Sequence, residues 1–183
     1  MIILFTGDGK GKTTSALGQM IRVLGRGKSA LMIQFIKGPW ISGEDKFAEM
    51  FGDKCSGFGP EFEIRKRGLG FVGILGDKLP REEHAAAARK ALAEFVGEKE
   101  SAPPDGGWHL IVLDEINVAV SLGLLTIEEV LDAIGDYPED KLLMLTGRGA
   151  PQELIDLADL VTETKDVKHP YWDGKDAKAT VEF

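Results

Sequence analysis

The chain has 183 residues, 43% of them hydrophobic, and a formal net charge of −8 at pH 7. This size and apolar content predict a single α/β domain over residues 1–183 with a substantial core. The negative charge disfavours nucleic-acid binding, because polyanions are repelled unless a local basic patch compensates. Cys55 is the only cysteine, so an intrachain disulfide and a cysteine metal cluster are both excluded. The sequence shows neither the pattern of a secretory leader nor an apolar run of membrane-spanning length, so we expect a cytoplasmic protein.

The N-terminal segment combines a short apolar strand, a glycine-rich turn and a helix. The strand is Ile2-Ile3-Leu4-Phe5, the turn is Thr6-Gly7-Asp8-Gly9-Lys10-Gly11, and the helix begins with Lys12-Thr13-Thr14. This is the phosphate-binding arrangement of P-loop proteins, in which backbone amides and the positive end of a helix dipole face an oligophosphate. We expect Lys12 to neutralise phosphate charge and the Thr13 hydroxyl to ligate Mg²⁺. A solvated loop is the alternative, but it predicts neither the strand nor the helix.

One position in this turn departs from the usual pattern. Thr6 stands where P-loops have their first glycine, so Gly7 and Gly9 must supply the turn. The variant loop predicts a less ordinary pose for the nucleotide.

The first helix is expected to end near Gly25 to Gly27, and Ser29 to Phe35 predicts a strand buried on both faces. Lys37 and Trp40 follow this strand, on the side where open α/β sheets bind ligands. Trp40 either caps the core or contacts a ligand. Glu44 to Phe51 predicts a short amphipathic helix.

The next segment alternates polar and apolar residues over Glu61 to Arg65, which predicts a strand near a sheet edge. Arg65-Lys66-Arg67 is either a solvated strand end or a small-anion site. Gly68 to Gly76 contains four glycines separated by large apolar residues. We interpret it as a loop that closes over a flat, apolar ligand or a partner subunit, with a packed glycine-rich strand as the alternative.

Two further helices are indicated by their first residues. Pro80 opens a helix that continues through Phe95 and is expected to end near Gly97. Thr126 begins another helix, which continues to Ile134. Residues 101–107 form a connecting loop.

A third buried strand, Trp108 to Leu113, delivers Asp114 and Glu115 at its carboxyl end. Paired carboxylates beside a phosphate loop suit Mg²⁺ and the reacting phosphates or ribose. The alternative is a capping role for the helix that contains Asn117.

The last strands follow the same pattern. Lys141 to Leu145 predicts a buried strand, and Arg148 after it either clamps phosphate or forms a surface salt bridge. Pro151 begins a helix, and Leu160 to Glu163 predicts a short final strand. His169 lacks neighbouring metal ligands in the sequence, which favours a hydrogen bond or a phosphate contact.

Six blocks of this chain, in order, resemble the P-loop type of ATP:corrinoid adenosyltransferase. They are Thr6 to Thr14, Gln34-Phe35-Ile36-Lys37-Gly38, Gly70-Phe71, Val112-Leu113-Asp114-Glu115, Thr146-Gly147-Arg148-Gly149-Ala150, and Val161-Thr162-Glu163 with Val167-Lys168-His169. The resemblance implies a RecA-like P-loop fold with a mostly parallel sheet flanked by helices. It also implies a homodimer that transfers the 5′-deoxyadenosyl group of MgATP to reduced corrinoid cobalt and releases triphosphate. A flavoprotein or another reductant would keep the cobalt reduced.

The resemblance also assigns roles to individual residues. Lys12 and Glu115 are the expected catalytic residues, and Thr13, Asp114 and Glu115 are the expected Mg²⁺ ligands. The ATP contacts would come from Gly7, Asp8, Gly9, Lys10, Gly11, Lys12, Thr13, Thr14, Lys37 and Arg148. The corrinoid contacts would include Gly70 and Phe71, in a loop that reads Gly-Phe-Thr-Trp in the family and has Gly73 in the Trp place here. The rival functions are a conventional P-loop ATPase or kinase, and an ATP- or corrinoid-binding protein without catalysis.

Overall fold

A computed structural model describes residues 1–55, 60–74, 76–100 and 107–170, together with 174, 176 and 178. For residues 51–55 and 100 it describes the backbone alone. The strands are β1 (Ile2–Thr6), β2 (Ala30–Gln34), β3 (Phe62–Lys66), β4 (Leu110–Asp114), β5 (Leu142–Thr146) and β6 (Leu160–Glu163). The helices are α1 (Lys12–Leu24), α2 (Gly43–Cys55), α3 (Arg81–Glu100), α4 (Ile116–Ser121), α5 (Ile127–Ile134) and α6 (Gln152–Leu157). Most of the predicted loop at 101–107 lies outside the described residues.

The strands form one six-stranded sheet in the order β3-β2-β4-β5-β1-β6. Every neighbouring pair in this sheet is parallel. The predicted α/β fold with a parallel sheet flanked by helices is therefore confirmed. Because parallel strands all point the same way, the residues that follow them meet at one edge of the sheet, where ligands bind in folds of this class.

Alternate residues of the central strands supply two separate cores. In β2, Leu31 and Ile33 pack with α3, α4 and α5 on one face of the sheet, whereas Ala30 and Met32 pack with α1 on the other. All residues of β2 and β4 are buried, as strands covered on both faces require. Within the described residues, no helix is long and apolar enough to cross a membrane.

Two predicted element ends were wrong. Helix α3 continues past Gly97 to Glu100, and β4 begins at Leu110, so Trp108 precedes the strand. Trp108 is nevertheless buried, and its Nε1 donates a hydrogen bond to Glu98 Oε2 at 2.7 Å. A third difference is that α2 extends further, from Gly43 to Cys55, than the short helix predicted there.

The glycine-rich stretch after β3 is a loop. Residues 68–74 and 76 form turns and irregular structure, so the strand alternative for this segment was wrong. It is attached to the end of β2, because the amides of Gly68 and Gly70 donate to the carbonyls of Gln34 and Ile36.

The basic triplet in and after β3 is neutralised by ion pairs. Arg65 pairs with Glu63 and also with Glu94 and Glu98 of α3. These carboxylates accept hydrogen bonds from the Arg65 guanidinium. The hydrogen bonds stabilise the charged guanidinium and raise the pKa of Arg65 above its ordinary value. Arg67 pairs with Glu94, and Lys66 pairs with Asp45 of α2. The triplet thus ties β3 to the neighbouring helices, and its charge is already balanced by carboxylates.

Candidate functional site

The turn between β1 and α1 packs closely against the segment that follows β6. Gly7 has φ +92°, and a Cβ atom there would lie 2.3 Å from the carbonyl oxygen of Thr164. The Gly9 amide donates to that same oxygen at 2.9 Å, and the Thr164 hydroxyl donates to the Gly9 carbonyl at 2.8 Å. Only glycine at position 7 accommodates both this backbone angle and this close approach. The Gly9 amide is thereby engaged within the protein.

Lys12 is buried beneath this turn although it carries a charge. Its Nζ donates to the carbonyl oxygens of Gly7 at 2.6 Å and Gly9 at 2.7 Å, and the residue is only 6% exposed. Burial lowers the pKa of Lys12, while the nearby carboxylate of Glu115 opposes that shift. The first turn of α1 adds the amides of residues 12–14, which have no acceptor within the helix. A cation and a set of backbone donors therefore converge at this point, as phosphate binding requires.

Asp114, at the end of β4, links three strands of the sheet to α1. Its Oδ1 accepts hydrogen bonds from the hydroxyls of Thr13 at 2.9 Å and Thr146 at 2.8 Å. Its Oδ2 accepts one from Gln34 Nε2 at 3.0 Å, and Asp114 itself is fully buried. The buried Gln34 Oε1 has no hydrogen-bond partner among the described residues. A carboxylate and a threonine hydroxyl in direct contact are hard oxygen donors of the kind that Mg²⁺ takes together with phosphates and water.

Glu115 follows in a strained backbone conformation. Its φ of 63° and ψ of 23° are left-handed, which is uncommon for a residue with a side chain. Its amide donates to the Thr146 hydroxyl at 3.0 Å, and its side chain makes no capping bond to α4. The helix-cap alternative for Glu115 is therefore wrong. Strained residues of this kind cluster at functional sites.

The Glu115 carboxyl has an unusual proton affinity. Burial raises its pKa to about 7, and the negative charge of Asp114 acts in the same direction. The positive charges of Lys12, Arg148 and Lys37 oppose the shift without cancelling it. Near neutral pH, Glu115 is thus poised between its protonated and ionised forms.

Replacing Glu115 by glutamine is expected to stabilise the nucleotide-free protein above pH 7. Because the pKa is raised in the folded state, ionising Glu115 lowers the wild-type free energy of unfolding as pH rises from about 4.5 to about 7. The variant lacks this loss, so its advantage should grow across that window to about 3 kcal/mol and then level off. Urea denaturation at pH 5, 6, 7 and 8 measures it. Parallel pH curves for the two proteins would contradict the electrostatic assignment.

The whole chain is similar to the proteins of one known family. The family model described as ATP:corrinoid adenosyltransferase BtuR/CobO/CobP matches residues 1–183. The chain belongs to this family. It is 37% identical to the corrinoid adenosyltransferase of Pseudomonas aeruginosa strain PAO1, over 100% of this chain and 83% of that protein. It is 34% identical to the corrinoid adenosyltransferases of Escherichia coli K12 and Salmonella typhimurium LT2, in each case over 100% of this chain and 85% of the relative.

Lys37 and Arg148 are also expected to contact ATP in an adenosyltransferase, but neither forms a hydrogen bond to the phosphate loop in the part of the chain that the structure describes. Lys37, after β2, forms an ion pair with Glu44 of α2. Arg148, after β5, is exposed and makes no ion pair within the described residues. Its charge nevertheless lowers the pKa of both Lys12 and Glu115, which places it near them. Arg148 is thus available to a ligand, whereas Lys37 must exchange or share its carboxylate partner.

The predicted corrinoid residues of this adenosyltransferase lie beside the turn that follows β2. The Gly70 amide donates to the Ile36 carbonyl at 3.0 Å, and the Phe71 ring contacts Trp40. Trp40 is 62% exposed, so the core-capping alternative for this residue was wrong. The carboxyl edge of the sheet thus carries an apolar surface in addition to the polar phosphate loop.

Three residues that bind the predicted site residues were not themselves predicted. Gln34 and Thr146 bind Asp114, and Thr164 holds the phosphate loop. A signal existed for the first of them, because parallel strands that each end in a polar residue bring those residues into register, as Gln34 and Asp114 are. No comparable signal points to Thr164, which contacts a loop at the opposite end of the chain.

Proposed function

We propose that this member of the ATP:corrinoid adenosyltransferase family transfers the 5′-deoxyadenosyl group of MgATP to the reduced cobalt of a corrinoid and releases triphosphate. The family match over the full chain supports the reaction class. The observation that carries the proposal is the contact of Thr13 with Asp114 beside the buried Lys12. Together these groups supply the oxygen donors and the positive charge that a magnesium triphosphate needs.

Each part of the site has a task in this reaction. Cobalt in its reduced state is itself the nucleophile, so a bond forms between cobalt and ribose C5′ while the C5′–O bond breaks and its electron pair leaves with triphosphate. Lys12, Arg148 and the amides at the start of α1 neutralise the charge that develops on this leaving group. Mg²⁺, held by Thr13 and Asp114 with Glu115 nearby, would supply further positive charge. The protein therefore positions the reactants and stabilises charge without a general base.

The same resemblance supports further proposals about the protein as a whole. We propose that residues 1–183 form one domain, that two copies assemble into a homodimer, and that the enzyme works in the cytoplasm. A flavoprotein or another reductant is the proposed source of electrons for cobalt.

Glu115 favours one competing function. A buried carboxyl with a pKa of about 7 suits a base that activates water or a hydroxyl, which is the chemistry of a conventional P-loop ATPase or kinase. Such an enzyme would attack the terminal phosphorus and leave Mg²⁺ with ADP.

Incubation with MgATP and chemically reduced cobalamin separates these functions by their products. We expect an alkylcobalamin absorption spectrum to appear together with one equivalent of triphosphate. Orthophosphate or a phosphorylated acceptor, without cobalt–carbon bond formation, would support the ATPase or kinase instead. ATP binding without either product would identify a non-catalytic binding protein and contradict the proposal.

A further inference from the structure

We propose that Trp40 is a corrinoid-contacting residue, whose indole ring and the Phe71 ring together form the surface that packs against one face of the corrin macrocycle. This inference rests on the proposed function and extends it to a second segment of the chain. The two ring centroids lie 5.8 Å apart with an interplanar angle of 36°, within the range of interacting aromatic pairs. Trp40 lies in the turn after β2, and Phe71 lies in the loop after β3.

Both rings are open to solvent. Trp40 is 62% exposed and Phe71 is 47% exposed. Other exposed apolar side chains in the same two segments are Ile41, Leu69, Ile74 and Leu79. Apolar side chains concentrated in this way on a protein surface mark a place where a ligand or partner binds.

The position of the pair favours the corrinoid as the occupant. Trp40 belongs to the turn that leaves β2 at Gln34, and the Gln34 side chain binds Asp114. The loop that carries Phe71 is attached to the same strand end, because the Gly68 amide donates to the Gln34 carbonyl at 3.1 Å. The macrocycle must come within bonding distance of the ribose of ATP. The apolar surface is attached to the strand end whose Gln34 binds Asp114, and it therefore lies at the same edge of the sheet as the proposed ATP site.

The Trp40 ring is fixed before any ligand arrives. A Cβ atom at Gly38 would lie 2.7 Å from Trp40 Cζ3, and one at Gly70 would lie 2.8 Å from Cη2. The indole therefore rests directly against the backbone of two glycines. The Trp40 carbonyl accepts a hydrogen bond from Lys66, which is itself paired with Asp45. A ring held in place loses little conformational entropy when a ligand packs on it.

Position 73 does not supply a second ring from the Phe71 loop. Gly73 has φ +69°, a conformation that strains a residue with a side chain, and its amide donates to Asp77 Oδ2 at 2.8 Å. Phe71 is thus the aromatic contribution of the described part of this loop, and Trp40 provides the second ring from the neighbouring turn.

The first test compares Trp40→Ala with Leu157→Ala, a control at an exposed apolar side chain at the end of α6, outside the two segments that form this surface. We expect Trp40→Ala to raise the KM for chemically reduced cobalamin about ten-fold and to leave the KM for MgATP within about two-fold. Leu157→Ala should change both constants by less than about two-fold. Thermal melting of each variant checks that the exposed substitutions leave the fold intact.

The second test moves the Trp40 ring without removing it. Gly70 and Gly76 both have positive φ, at +110° and +82°, but only a Cβ atom at Gly70 would meet Trp40. Gly70→Ala should therefore reproduce the corrinoid defect of Trp40→Ala. Gly76→Ala imposes similar backbone strain with open space around its Cβ, so it should leave the corrinoid KM near its wild-type value.

Two kinetic results would overturn the inference: an unchanged corrinoid KM in Trp40→Ala, or an equal rise in the KM values for corrinoid and MgATP. A changed molecular mass of Trp40→Ala in solution, with an unchanged corrinoid KM, would also overturn it, because that result would assign Trp40 to a subunit contact. If the wild-type protein forms no cobalt–carbon bond, the proposed function fails separately. Equilibrium dialysis of hydroxocobalamin against the wild-type protein and Trp40→Ala then decides the inference, which requires weaker binding by the variant.

Discussion

Replacing Lys12 by alanine is expected to abolish productive ATP binding, with at least a roughly 100-fold loss of affinity for MgATP. Lys12 is the cation buried beneath the phosphate loop, where its Nζ braces the Gly7 and Gly9 carbonyls. Its charge acts in a partly desolvated place, where contacts with phosphate oxygens are worth about 1.5–3 kcal/mol each. Loss of two such contacts corresponds to the stated factor, since every 1.4 kcal/mol is about ten-fold. Isothermal titration with MgATP measures it directly.

Lys12→Gln is the matched variant for this experiment. Glutamine is similar in length and can still donate to one loop carbonyl, but it carries no charge. We expect its loop to stay closer to the wild-type conformation while ATP affinity falls nearly as far as in the alanine variant. Near-normal nucleotide affinity in both variants would show that the charge of Lys12 does not hold phosphate, and would remove the basis of the assigned loop chemistry.

Replacing Asp114 by asparagine is expected to lower kcat/KM at least about 100-fold while leaving the fold largely intact. The Asp114 carboxylate accepts hydrogen bonds from Thr13, Thr146 and Gln34. The NH₂ group of an asparagine at this position would face one of these donors instead of accepting from it. The Gln34 side chain can turn over and present its unpartnered Oε1 to the new amide, which limits the cost in stability. No similar rearrangement replaces the charged oxygen that Asp114 would provide to Mg²⁺. The defect should therefore appear in catalysis and in the dependence on magnesium.

A magnesium titration at fixed ATP tests this expectation. Asp114→Asn should need a markedly higher Mg²⁺ concentration for half-maximal activity, with a melting temperature near that of the wild type. Asp140→Asn changes an exposed carboxylate before β5, at the opposite edge of the sheet, and serves as the control. An unchanged magnesium requirement in Asp114→Asn would exclude Asp114 as a metal-holding residue.

Local sequence patterns predicted most of the fold. Runs of apolar residues identified β2, β4 and β5 because strands of a parallel sheet are buried on both faces. Helix α5 begins with a complete capping box formed by Thr126 and Glu129, which short-range spacing alone reveals. These elements are encoded by neighbouring residues, so one sequence was enough to place them.

Tertiary packing accounts for the boundaries that were predicted wrongly. Gly97 was expected to end α3, yet the helix continues, because Phe95 and Ala91 are fully buried and anchor this segment on the sheet. That packing exceeds the roughly 1 kcal/mol cost of glycine in a helix. Trp108 resembles a strand residue in its apolar run, but its indole contacts Glu98 and the Arg65 guanidinium instead of extending β4.

In the candidate site, too, features set by neighbouring residues were predicted and contacts between distant residues were not. The spacing of the phosphate loop and the carboxylate pair after β4 are local features, and both were predicted. The hydrogen bonds of Gln34 and Thr146 to Asp114, and of Thr164 to Gly9, join residues from distant parts of the chain. The polar ends of parallel strands indicate that Gln34 and Asp114 lie at one edge of the sheet, but which side chains bond there follows only from the strand order.

The place of β1 in the sheet has a consequence for how the protein is made. Among the described residues β1 pairs with β5 and β6, so this strand is synthesised long before either of its neighbours. Pairing over such a separation in sequence is slow. Because Thr164 also closes the phosphate loop, the proposed nucleotide site is incomplete for most of the synthesis of the chain. ATP that binds as proposed would therefore stabilise the finished enzyme and give little help to the growing polypeptide.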